Sequence, residues 1–266
     1  MTSDSIKVEQ KATLGSHTTQ IATQNNYYGL TPQEACNEAI QLFYDNFPRL
    51  QADAKALVEK LVRELMDEIA AKLSKEQIVD MSPFGQPDVQ YVMLEAQKGY
   101  ARFGTTESLE LLSTLVVERI KQDVGDVCLK ITIDKAISIA GQLTSAQMDY
   151  LSLLFIVTRV KFNNIQSLEE LYEHLEYLTN VFSAAQNVNF DFLKMFGCFQ
   201  LGLGTASKRL AARYNFNVSD VDIICPQMLK DMIGDYTTSP AGTIIAIINA
   251  EQKTSYHFDP KIWIHE

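Results

Sequence analysis

No uninterrupted apolar run in this 266-residue chain exceeds the five residues Leu153–Val157. A membrane-spanning helix needs roughly 20, so no span is expected. The opening "MTSDSIKVEQ" lacks the apolar stretch of a secretory signal, and the chain reads as cytoplasmic. Cysteine is scarce. Cys36, Cys128, Cys198 and Cys225 include no CxxC pair, which removes the common zinc and dithiol motifs and leaves four small buried hydrophobes in a reducing compartment. Positive charge is also short, with 23 Lys and Arg against 33 Asp and Glu, a net −10. An acidic chain opposes a phosphate backbone, so general nucleic-acid binding is not expected. The one local basic cluster is "SKRLAAR", carrying Lys208, Arg209 and Arg213.

Catalytic patterns are missing as well. "GLGTASK" (Gly202–Lys208) has the glycines of a phosphate loop. Yet Ala206 and Ser207 precede Lys208 where a P-loop needs Gly, and no strand is read before it. Ser207 lies in no GxSxG elbow. Histidine is limited to His17, His174, His257 and His265. Glu170 and His174 stand four apart on one helix, but a carboxylate-bridged metal centre needs a second such pair and further Glu; they read as solvated surface. His257 and Asp259 share a strand face without a nucleophile. Glu64 and Glu68, beside Asp67, read as the wet side of an amphipathic helix. No cofactor, no metal site and no catalytic residue is therefore expected. An enzyme or toxin, a nuclease or NTPase for example, is the alternative, and its candidates are Glu64, Glu68, His174 and Lys208.

What is present is pattern. Ile6, Val8, Gln10, Ala12 and Leu14 alternate with polar residues, "GSH" can turn the chain, and "TTQIATQNNYY" continues extended. Two strands alone are only marginally stable in water. The reading is an N-terminal β-ribbon that pairs with copies of itself, through the first set and through Gln20, Ile21, Gln24, Asn25 and Tyr27, since Gln and Asn ladders suit stacked strands. Residues 1–30 form this segment and 31–266 a helical domain, with a sub-boundary near 187. Thr31, Pro32 and Glu34 make an N-terminal signature for a helix to about Asn46, where Pro48 interrupts. Leu57, Leu61, Leu65, Ile69 and Leu73 then lie four apart on a long helix. "SPFGQPD" is a loop, Gly104 a C-terminal stop, and Thr105 or Thr106, Thr144 and Ser167 are helix caps. Strand and helix compete over "VCLKITIDKAISIAGQL", with helix preferred. Leu168, Leu171, Leu175 and Leu178 form a packing stripe with Tyr172, Tyr177 and Phe182. "SPAGTIIAIINAEQ" is the last helix and "KIWIH" a short strand. The fold class is mainly α: a multi-helix bundle or array of about nine helices, with the N-terminal β-ribbon and a short C-terminal strand.

"QIATQNNYYGLT" (Gln20–Thr31), "PDVQYVMLEAQKGYARFG" and "LTSAQMDYLSLLFI" together resemble an uncharacterised family of small, mainly helical bacterial proteins known by locus-tag names. The resemblance covers most of the chain, weakest after about Asn187, and brings no active site. The leader Gln20, Ile21, Gln24, Asn25, Asn26 is similar to leaders on bacterial anti-phage and abortive-infection proteins, where it implies assembly. "TTSPAGTIIAIINAEQ" is similar to segments near the ends of some abortive-infection proteins. These likenesses imply a homo-oligomeric interaction or sensor protein, a trimer or higher, with an unknown protein partner and a place in phage defence.

Overall fold

Two helix starts are written in the sequence and made in the structure. Thr144 Oγ1 accepts from the Gln147 amide at 3.4 Å while Gln147 Oε1 accepts from the Thr144 amide at 2.9 Å. Ser167 and Glu170 repeat this capping box at 3.2 and 3.0 Å. A computed structural model describes residues 32–77, 82–121, 126–202 and 204–264. The predicted β-ribbon, from Ile6 to Tyr27, lies outside the described residues.

Among the described residues there are twelve α-helices and two short strands. The helices are α1 (Pro32–Lys75), α2 (Pro87–Phe103), α3 (Thr106–Lys121), α4 (Val127–Ala140), α5 (Ser145–Arg159), α6 (Leu168–Val181) and α7 (Phe190–Met195). After β1 (Phe199–Leu201) come α8 (Ala206–Tyr214), α9 (Val218–Ile224) and α10 (Gln227–Met232). After β2 (Tyr236–Thr238) come α11 (Pro240–Lys253) and α12 (Pro260–Ile264). The chain divides into two compact units, Met1–Ala54 and Lys55–Glu266.

Several expectations are corrected. Pro48 does not end a helix: α1 runs through it. Proline there leaves the Tyr44 carbonyl without its amide donor, a loss of about 3 kcal/mol in a helix interior, and the strong helix formers Arg49, Leu50, Gln51 and Ala52 follow it directly. Of "KIWIH", the described residues Lys261–Ile264 are helix, not strand. Asp259 accepts from the Lys261 amide at 2.9 Å and Pro260 follows it, so Asp-Pro starts the helix α12. Ser82–Gly85 is a 3-10 turn within the expected loop. The helical preference for Val127–Ala140 is met, with Asp126 accepting from the Leu129 amide at 2.9 Å.

The second unit is built around α5, whose residues Met148 to Thr158 are all buried. Helix α11, buried from Ala241 to Ala250, lies along it. Helices α2, α3 and α4 pack on one another, and Leu65, Ile69 and Leu73 of α1 are buried in the same core. Where α2 meets α4, a Cβ on Gly99 would stand 2.6 Å from the Gly141 Cα, so only glycine admits this approach. Gly104 closes α2 at φ 59°, the left-handed conformation glycine favours. The strands pair antiparallel, Phe199 opposite Thr238 and Leu201 opposite Tyr236.

Polar seams fix the packing. Arg119 of α3, 4% exposed, donates to Asp88 of α2 at 2.5 Å and to Asp134 of α4 at 2.7 Å. That bond holds the Asp88 carboxyl below the usual carboxylate range. Burial holds Asp134 above it, outweighing the guanidinium. Between α5 and α11, Asn249 donates to Asp149 and Ser152 at 3.0 and 2.9 Å, and Lys253 reaches Asp149 at 2.6 Å.

Candidate functional site

The first candidate is a helix face. Ile40, Phe43, Phe47 and Leu50 of α1 are each 45–54% exposed. Their spacing alternates three and four residues, and Ala54 and Leu57 continue it. That is the a/d repeat of a coiled-coil seam. No charged residue falls on it from 40 to 57, while Glu38, Asp45, Arg49 and Asp53 lie off it. Phe43 and Phe47 touch along the face, ring centroids 5.4 Å apart. Cys36 is exposed and stands in the same register. The repeat is a sequence spacing that holds only if the helix continues through Pro48, which sits beside the seam, not on it.

The second candidate is a basic groove of about 750 Å³ in the other unit. It collects cations from two helices: Arg159 at the end of α5, and Lys208, Arg209 and Arg213 of α8. Among the described residues, no carboxylate lines it. Arg209 Nε and Nη1 each donate at 2.7 Å, to the carbonyls of Gly204 and Tyr236, which ties the loop after β1 to β2. Arg213 Nη1 donates to the Val157 carbonyl at 2.7 Å. Burial first, then the neighbouring Arg209, lowers the Arg213 pKa. Thr158 and Thr237 share a hydrogen bond at 3.0 Å in the groove wall. The sequence-read trio Lys208, Arg209 and Arg213 is thus brought to one place, joined by Arg159, which no sequence pattern links to it. Strand β1 does precede "GLGTASK", against expectation, although the glycine-to-lysine spacing of a P-loop is still not met.

The remaining residues do not converge. Glu64 accepts from the Tyr100 hydroxyl at 3.1 Å and so joins α1 to α2, while Glu68 lies 3.8 Å from Lys72 one turn further along α1. Glu170 is the carboxylate of the α6 cap, held low by the amides of Gln166 and Ser167. His174 is not solvated surface. It packs on Phe162 at 4.4 Å between ring centroids, and its Nε2 is buried without a hydrogen-bond partner. Tyr172 and Tyr177 lie on the exposed side of the leucine stripe, while Phe182 is buried. Only Cys198 and Cys225 are buried; Cys36 and Cys128 are exposed, both near the starts of their helices. Burial pushes the Cys198 thiol up to about 12. Among the described residues no group of three His, Cys, Asp or Glu is placed to hold a metal, and no helix is long and apolar enough to cross a membrane.

Burial also pushes His174 down to about 4, from an ordinary 6.5. The unfolded chain therefore binds the proton first as pH falls. The stability this neutral ring contributes is complete above pH 6.5 and is lost on acidification toward 4. His174→Phe keeps the ring packing and removes the titration. Its urea midpoint should fall less between pH 7 and pH 5 than that of the native protein.

The fold defines a mainly helical protein with a small antiparallel β-pair. The sequence model of a family of uncharacterised proteins matches residues 29–234, and the chain belongs to that family. No curated protein and no solved structure matches it.

Proposed function

We propose that this chain is a homo-oligomeric interaction protein, assembled through the α1 seam together with the leader at residues 6–28. The observation that carries the reading is the exposed a/d repeat of Ile40, Phe43, Phe47 and Leu50. Large apolar residues leave water most readily by pairing with an identical repeat. The helical body then serves as the binding or sensing surface, repeated in each subunit so that weak contacts add as avidity. The likeness of the leader to those of anti-phage proteins supports carrying this reading into bacterial phage defence.

Light scattering on a sizing column tests it. The full-length protein is expected to be a discrete oligomer. Phe43→Glu with Leu50→Glu should shift the mass toward monomer with the circular dichroism unchanged, because both side chains are exposed. A chain beginning at Leu30 separates the leader's share from that of α1. A monomeric full-length protein would end the proposal.

A further inference from the structure

We infer that the basic groove between α5, α8 and the β-pair binds a small phosphate-bearing molecule with two or more negative charges, of nucleotide size. The charge pattern is the first reason. The chain carries net −10, yet four cationic side chains meet at one groove and no carboxylate lines it among the described residues. Like charges held together repel, and the arrangement is stabilised when an anion enters. Arg213 is the second reason. A guanidinium has five N–H donors in a fork that fits phosphate oxygens in pairs. Arg213 gives one of them to the Val157 carbonyl, and neither it nor Lys208 forms an ion pair among the described residues. The Val157 bond holds the fork in place before any ligand arrives.

Preorganisation is the third reason. Arg209 is fastened to two backbone carbonyls and Arg159 donates to Thr243 at 3.3 Å while stacking over Trp263. Three guanidinium groups on two helices are therefore set before binding, which lowers the ordering penalty. Lys208, exposed at the rim, supplies a mobile point charge. Burial lowers the Arg209 pKa, and Asp235, the acidic group near it, opposes that shift without lining the groove. Size and charge select the ligand. About 750 Å³ lies within the range of small-molecule sites, roughly 300–1,000 Å³. An extended nucleic acid would reach beyond the groove onto a chain of net charge −10, which opposes a phosphate backbone.

Isothermal titration of the full-length protein at fixed ionic strength tests this with three probes: tripolyphosphate, ATP and a single-stranded oligonucleotide. Saturable binding of tripolyphosphate or ATP is expected. Tighter binding of ATP than of tripolyphosphate assigns a nucleotide, and equal binding assigns the phosphate chain alone. Lys208→Glu should weaken binding by about tenfold or more, as expected when a charge-assisted phosphate contact becomes a repulsion. Lys98→Glu, an exposed charge outside the groove, should leave it unchanged. Absence of saturable binding would overturn the inference. So would equal losses in the two variants, or an oligonucleotide that binds more tightly than either small anion.

Discussion

Replacing Arg119 by alanine is expected to lower the folding stability by roughly 2–3 kcal/mol, less than for a fully buried ion pair because water still reaches the carboxylates left behind. The reason is what remains. Arg119 is 4% exposed and joins Asp88 of α2 to Asp134 of α4. Without it, Asp134 stays half-buried with only Asp88 and the more distant Lys130 in its field. Asp134 already titrates above the usual carboxylate range because burial outweighs its cation. In the variant that shift grows. A carboxyl raised in the folded state destabilises where it is ionised and ceases to do so once protonated. The deficit of Arg119→Ala should therefore shrink as pH falls from 7 toward 4.5. Urea unfolding followed by circular dichroism reads both effects. Arg119→Met with Asp134→Asn should recover much of the loss, since the stranded charge is gone. A loss below about 1 kcal/mol at pH 7 would place this residue with surface pairs.

Local chemistry was readable in the sequence and long-range chemistry was not. Thr144 with Gln147 and Ser167 with Glu170 are three-residue patterns, and the structure contains both caps. Gly104 ends α2 as read. Arg119 is 31 residues from Asp88 and 15 from Asp134, separations at which no periodicity points from one to the others. The β-pair joins Phe199 to Thr238 with three residues a side, too short for an alternating signal. At two places a local signal points against its surroundings. Pro48 signals a break that the helix formers after it override, and the β-branched "KIWI" signals a strand that the preceding Asp-Pro turns into α12. The groove was half legible. Lys208, Arg209 and Arg213 share one helix, whereas Arg159 reaches them only through the packing of α5 against α8. The α1 seam is a spacing, legible once the helix is carried through Pro48.

The second large effect is expected at the layer between α5 and α11, where the two halves of one ion pair should respond unequally. Asp149 is 2% exposed, and its carboxylate takes Lys253 at 2.6 Å and Asn249 at 3.0 Å. The Lys253 side chain is 27% exposed at the end of α11. Lys253→Ala leaves a carboxylate sealed in the core with one neutral donor, and roughly 3–5 kcal/mol should be lost. Asp149→Ala leaves an ammonium that can turn to water along its flexible stem. Asn249 keeps its bond to Ser152, so the loss should be about 2–3 kcal/mol, that of a buried polar contact and a small void. The double change should fall well short of the sum, because each single loss is mostly the stranded partner. Urea midpoints of the three variants decide the matter. If Asp149→Ala proves the more damaging, the layer is held by the carboxylate's bond to Asn249 and the register of α11 on α5 depends on that amide. If the two losses simply add, the pair is electrostatically independent and the polar layer acts only through its shape.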